Sequence, residues 1–198
     1  MEKLPVLLSI DPSVRDLGWA ILDLNKGEGE DYYNLDSDVW SYGLVQMKAR
    51  PISYKDPYYL QHRWREACAT LKAACEIGHH QPTHLASEWP VYFNSTRGRI
   101  AVERNYTVDL GSMVGYIAGQ FNFRANYMTL WTPQQWKGSV PKYVTKQRFI
   151  KAFGQAGEKL SRMLSDDVVD AIMIARFWFD LYSLRKFTWQ RELDVTNR

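Results

Sequence analysis

The chain has 198 residues, 45% hydrophobic and 24% charged, enough apolar material for one compact domain and too much for global disorder or a fibrous repeat. Its formal net charge of +3 and pI near 8.8 are compatible with a polyanionic partner without demanding one. No run of eighteen apolar residues and no signal-peptide pattern is present, so the expectation is an intracellular, cytoplasmic protein with no membrane association.

Leu4 to Ile10 is a short apolar run ending at Asp11, and Leu17 to Leu24 is a second, with a turn-like Asp-Pro-Ser between them. This pattern predicts a hairpin. Val39 to Met47 is a third strand candidate after a polar loop from 25 to 38; the acidic stretch 23 to 38 is expected to face away from any nucleic acid. From Pro57 to Ile77 the spacing turns helical, with Leu60, Trp64, Cys68, Leu71 and Cys75 on one face and Gly78 as a stop. Two helical turns separate Cys68 from Cys75, too far for a disulfide, so both read as reduced core residues.

Thr83 to Glu88 reads as a fourth strand, Ile100 to Phe121 as a helix and Tyr127 to Trp131 as a fifth strand. Val144 to Phe153 and Ser165 to Leu184 read as further helices. This order predicts a single α/β domain with a mixed five-stranded sheet flanked by helices on both faces. Its core would span about 4–184, followed by a basic, aromatic tail at 185–198.

Asp11 and Glu88 each end an apolar strand, where carboxylates can converge at one rim of a sheet. Near the C-terminus, Asp166-Asp167-Val168-Val169-Asp170 opens an apolar helix, and Asp167 and Asp170 share one of its faces by their i, i+3 spacing. Such a grouping suits phosphodiester hydrolysis by two hard divalent cations about 3.5–4 Å apart, one activating water and one stabilising the leaving 3′ oxygen. Each acid also has a plain structural reading. Asp11 before Pro12 can start a turn, Glu88 can be a solvent-facing strand end, and Asp166 and Asp167 can complement a helix dipole behind Ser165. Asp170, in the first turns of a strongly apolar helix, is harder to explain that way.

Basic residues fall in two segments. Arg97, Arg99 and Arg104 follow the aromatic pair Tyr92 and Phe93, which either tuck under the domain or stack on unpaired bases. Lys137, Lys142, Lys146, Arg148 and Lys151 form either a solvated helix face or a phosphate-tracking surface. Gly111, Gly115 and Gly119 recur every four residues, so something approaches that helix face closely: the sheet beneath, or a second chain. His79, His80 and His84 with Cys75 could hold zinc, but Gly78 and Pro82 mark a helix exit, where His more often meets terminal carbonyls.

The segment Asp11-Pro12-Ser13-Val14-Arg15-Asp16-Leu17-Gly18-Trp19 resembles the opening of RuvC-type Holliday-junction resolvases. Ser87-Glu88-Trp89-Pro90 with the later Leu110-Gly111-Ser112-Met113-Val114-Gly115 is similar to that family's glutamate strand and following helix. Trp131-Thr132-Pro133 with Lys137-Gly138, Lys142 and Lys146 resembles its basic segment, and Asp167-Val168-Val169-Asp170-Ala171 its acidic close. The matches run in family order over roughly 5–178.

The resemblance implies an RNase H-like fold and a metal-binding catalytic tetrad of Asp11, Glu88, Asp167 and Asp170. It implies two Mg²⁺ per site, with Mn²⁺ able to substitute, and a homodimer meeting through Gly111, Gly115 and Gly119. The implied reaction is paired nicking of four-way DNA junctions or other branched DNA. Arg15, Lys137, Lys142 and Lys146, in the matching segments, would contact the DNA; Tyr92, Phe93, Arg97, Arg99 and Arg104 would join them on their own residue chemistry, not on the resemblance. The stretch after Glu88 and the loop at 25–38 are longer than that family's pattern. Rival readings are an RNase H-like nuclease of broader structure specificity or of DNA-packaging type, and a non-catalytic junction-binding protein. An actin-like or sugar-kinase ATPase would need a second domain and phosphate loop that 198 residues do not supply.

Overall fold

The computed structural model describes residues 3–13, 15–47, 59–91, 106–138 and 140–196. Five strands, β1 (Val6–Pro12), β2 (Asp16–Asp23), β3 (Trp40–Gln46), β4 (His84–Glu88) and β5 (Met128–Trp131), form one sheet in the order β3-β2-β1-β4-β5. The first three make an antiparallel meander, while β1–β4 and β4–β5 are parallel. The helices are α1 (Tyr59–Ile77), α2 (Tyr106–Gln120), α3 (Pro133–Trp136), α4 (Lys142–Ser161) and α5 (Asp166–Thr196). The predicted mixed five-stranded sheet, covered on both faces, is what forms.

Strand parity sorts the core into two layers. Val6, Leu8 and Ile10 of β1, with Leu85 of β4, join Ala67, Cys68, Leu71 and Cys75 of α1 and Met113, Val114 and Ile117 of α2. Leu7 of β1 and Ala86 of β4 point the other way, against Phe149 and Phe153 of α4 and Val168, Val169, Ala171 and Ile172 of α5. Asp11 has the parity of Leu7, and Glu88 that of Ala86, so both acids lie on the α5 face.

Two features fix α5 there. Ser9 Oγ, fully buried in the middle of β1, donates to the Ala171 carbonyl at 2.7 Å. Gly18, the β2 partner of Asp11, lies so close to α5 that an added Cβ would stand 2.0 Å from the Asp167 carbonyl oxygen. The start of α5 thus rests directly on the backbone of β2.

Two helix ends and one added helix differ from the sequence reading. The helix predicted to end at Phe153 continues through Gly154, whose φ of 56° and ψ of −132° introduce a kink, and ends at Ser161. Glycine tolerates that positive-φ backbone, so the helix bends there and resumes. The final helix runs past Leu184 to Thr196, into the predicted tail. The short α3 is unanticipated: Thr132 and Gln135 close a capping box around it, with Pro133 in its first turn. The predicted starts at Pro57 and Ile100 lie outside the described residues.

Candidate active site

Parallel pairing of Ile10 with Ser87 brings Asp11 and Glu88, the next residues along, to the same rim. The first turns of α5 pass over that rim and supply Asp167 and Asp170. Asp11 and Asp170 are buried, 7% and 5% exposed. Burial pushes the Asp11 carboxyl well above its usual range, and the charges of Glu88, Asp170 and Asp167 push the same way, with Lys137 opposing. Burial also raises Asp167, opposed by Lys142 and a Ser13 hydrogen bond and reinforced by Asp16 and Asp170. The four predicted acids thus share one electrostatic neighbourhood, with more negative charge than its burial accommodates.

Asp166 belongs elsewhere. It pairs with Lys146 at 2.8 Å and Lys142 at 3.8 Å on the outer side of α5. The Lys146 hydrogen bond holds its carboxyl below the usual range against the effect of burial. One residue of helical rotation, 100°, separates this surface acid from the inward Asp167.

Lys137, read from sequence as part of a basic surface, instead turns into the acidic group. Its Nζ lies 2.9 Å from Glu88 Oε2 and 2.9 Å from Asp170 Oδ2. Burial disfavours its charge, but Asp170 and Glu88 outweigh that and hold the ammonium above its usual range. Trp136 Nε1 donates to the same Glu88 Oε2 at 2.9 Å, and the Lys137 ammonium stands 4.6 Å from the Trp136 ring centre. Neither role was legible beforehand. A Trp-Lys pair after a Thr-Pro turn was visible, but its direction depends on α3.

Among the described residues, no three His, Cys, Asp or Glu side chains stand close enough to enclose a metal ion. The positive charge between Glu88 and Asp170 is the Lys137 ammonium. The surrounding donors are all carboxylate oxygens, the chemistry that hard divalent cations select.

Other predicted positions are distributed differently. Arg15 is exposed in the β1–β2 turn, where its carbonyl accepts from Met47 N at 2.9 Å. Tyr92, Phe93, Arg97, Arg99 and Arg104 lie outside the described residues. Gly111 rests on Trp89, 3.4 Å from where a Cβ would be, whereas Gly115 and Gly119 are exposed and a Cβ on either would meet nothing within 4 Å. The tight approach to the sheet therefore accounts for neither outer glycine.

The histidines form no zinc cluster among the described residues. Burial pushes the Cys75 thiol up to about 11, and His84 packs edge-on to Tyr127 and Trp178. His80 does not meet helix-terminal carbonyls through its ring. Its Nδ1 lies 3.1 Å from Asp23 Oδ2 and its Nε2 2.9 Å from Ser41 Oγ.

No family model matches the chain, and no curated protein matches it. Among solved structures it is similar to Thermus thermophilus RuvC in complex with a Holliday junction substrate, with a TM-score of 0.54 and 15% identity over 90% of this chain and 96% of that one. A second Thermus thermophilus RuvC structure gives a TM-score of 0.51 at 16% identity, covering 89% and 96%. The fold is RuvC-like, built on the RNase H-like mixed sheet.

Proposed function

We propose that this chain is a divalent-metal-dependent endonuclease that cuts branched DNA, with the four-way junction as its preferred substrate. The observation that carries the reading is the convergence of four carboxylates from β1, β4 and α5 on a half-buried rim, where Asp11 is held well above its usual range by burial and by the other three. Such a group is stabilised by external positive charge. The structural likeness to a protein solved with a Holliday junction supports the choice of substrate.

Asp11, Glu88, Asp167 and Asp170 would hold Mg²⁺, or Mn²⁺ in its place. Bound ions would activate the attacking water and stabilise the leaving 3′ oxygen. Lys137, which shares Glu88 and Asp170, offers a positive charge to a substrate phosphate when those acids take other partners. Trp136 fixes one Glu88 oxygen and thereby its orientation. Arg15, Lys142 and Lys146 would contact the DNA backbone, and Arg97, Arg99 and Arg104 are further candidates by sequence, with Tyr92 and Phe93 to stack on opened bases. Two chains would pair through the open Gly115 and Gly119 face of α2, giving two sites for paired nicks.

The test is Mg²⁺-dependent cleavage of a mobile four-way junction, a flap and a linear duplex side by side, with nick positions mapped. Symmetric nicks on the junction are expected. Equal cutting of all three substrates replaces this reading with a nuclease of broader structure specificity, and binding without cutting replaces it with a junction-binding protein.

A further inference from the structure

Lys137 is set among the acids by the backbone that carries it. It caps the end of α3, where its N–H donates to the Pro133 carbonyl at 3.0 Å and its own carbonyl accepts from Arg148 Nη1 at 2.7 Å. The main chain is held at both of its polar groups, so movement is left to the flexible four-carbon side chain. That side chain is 16% exposed, which leaves its ammonium a way out to solvent.

Glu88 and Asp170 do not depend on Lys137 alone for their positions. Trp136 Nε1 donates to Glu88 Oε2 independently, and Asp170 precedes Ala171, whose carbonyl is tied to Ser9 Oγ at 2.7 Å. If the ammonium turns away, both carboxylates keep their place and the gap between them opens.

A divalent ion held by Glu88 and Asp170 together must come to that same gap, and it cannot share it with an ammonium. Lys137 keeps each oxygen at 2.9 Å, whereas Mg²⁺ takes its oxygens at about 2.0–2.1 Å, so each carboxylate must close by about 0.8 Å around the ion. Among the described residues, no three acids converge that tightly with Lys137 between them. Charge leads to the same place. Two divalent ions balance four ionised carboxylates unaided, which leaves the Lys137 charge in surplus beside them.

We propose that Lys137 is a built-in competitor for the metal: its ammonium holds Glu88 and Asp170 against a divalent ion and turns out of the acidic group as the ion is taken up. The inference rests on the nuclease reading for the identity of the ion, and deepens it by naming the residue that sets the affinity for it. Because α3 and Arg148 keep the Lys137 backbone at the rim, the withdrawn ammonium stays beside the acids.

The test is Lys137→Met, which keeps an unbranched apolar stem against Trp136 and removes the charge. Mn²⁺ binding to the full chain, followed by the electron paramagnetic resonance signal of the free ion, should tighten by about tenfold or more in the variant. A lysine that merely organised the acids would give the opposite sign. The variant should melt lower than the parent without divalent ion, and Mn²⁺ should raise its melting temperature further.

The parent supplies a second readout that needs no variant. Acetylation by a water-soluble amine reagent, mapped by mass spectrometry, should mark Lys137 several-fold faster once Mg²⁺ is added, with the exposed Lys159 unchanged as a reference. Should Lys137→Met fail to fold without Mn²⁺, this footprint decides alone. Mn²⁺ binding no tighter in the folded variant, or unchanged Lys137 reactivity at Mg²⁺ concentrations that raise the parent's melting temperature, overturns the competition. If both readouts move as expected but the parent cuts no DNA with Mg²⁺, the nuclease reading falls and the competition stands.

Discussion

Asp11 and Asp23 are both buried, and they sit toward opposite ends of the β1–β2 ladder, one paired with Gly18 and the other with Val6, about 16 Å of strand apart. At the Asp23 end every need is met from within. One oxygen accepts from Asn25 N at 3.0 Å and Asn25 Nδ2 at 3.1 Å, and the other faces His80 Nδ1, itself backed by Ser41. Burial works against the charge, yet the His80 and Asn25 bonds outweigh it and hold the carboxyl below its usual range. At the Asp11 end, burial and three like charges leave the carboxyl high, with only Lys137 in opposition. A fold can bury an acid either way. The satisfied one maintains the structure, and the unsatisfied one costs stability and marks where charge from outside is expected.

The largest effect that would break this contrast is on turnover. Asp11→Asn, Glu88→Gln and Asp170→Asn should each reduce junction cleavage by at least about 10³-fold while binding persists, since charge is lost and the phosphate-contacting surface is not. Single-turnover assays on a labelled junction decide it, and near-parental rates in any one variant would remove that residue from the group.

Gly18→Ala should be nearly as damaging to activity without touching an acid. Its methyl would displace the start of α5, at a cost of about 1–3 kcal/mol in denaturant unfolding. An unchanged midpoint and rate would mean that the helix does not rest on β2.

At the other end, Asp23→Ala should cost about 1.5–3 kcal/mol, the usual range for buried hydrogen bonds to a charged group, and leave the cleavage chemistry alone. Because the folded-state pKa of Asp23 is depressed, its contribution is present above the ordinary carboxylate pKa and is lost as pH falls through the lower folded value. The stability gap between parent and variant should therefore close on acidification.

A smaller effect of opposite sign sharpens the comparison. Asp11→Asn should raise metal-free stability by about 1 kcal/mol, because it removes a buried charge among like charges. Added Mg²⁺ should raise the melting temperature of the parent more than that of the variant. The smallest expected change is Asp166→Asn, within about 0.5 kcal/mol and with near-parental cleavage, since an exposed pair to Lys146 contributes little.

Much of this was readable from residue order because strand parity and helix spacing are local. Alternation along Leu7, Ser9 and Asp11 and along Ala86 and Glu88 chooses a face, and Asp167 and Asp170 share a side by i, i+3. The inward turn of Lys137 was not readable, because it depends on where a four-residue helix sets down after β5. His80 was misjudged for a similar reason: its partners, Asp23 and Ser41, are 57 and 39 positions away. The helix read as ending at Phe153 runs on past a bend at Gly154, because a helix that stops and one that is bent and resumes look alike in residue order.

The bond from Ser9 to the Ala171 carbonyl spans 162 positions, and that separation bears on how the protein is made. The β1–β2–β3 meander closes through near neighbours and can form while the rest of the chain is still being synthesised. Asp11 then waits at its rim until β4 and, last, α5 emerge. Since two of the four acids arrive with that final helix, a nascent chain has only half of the acidic group, and the cutting centre proposed for it would be complete only when the last long-range contact is made.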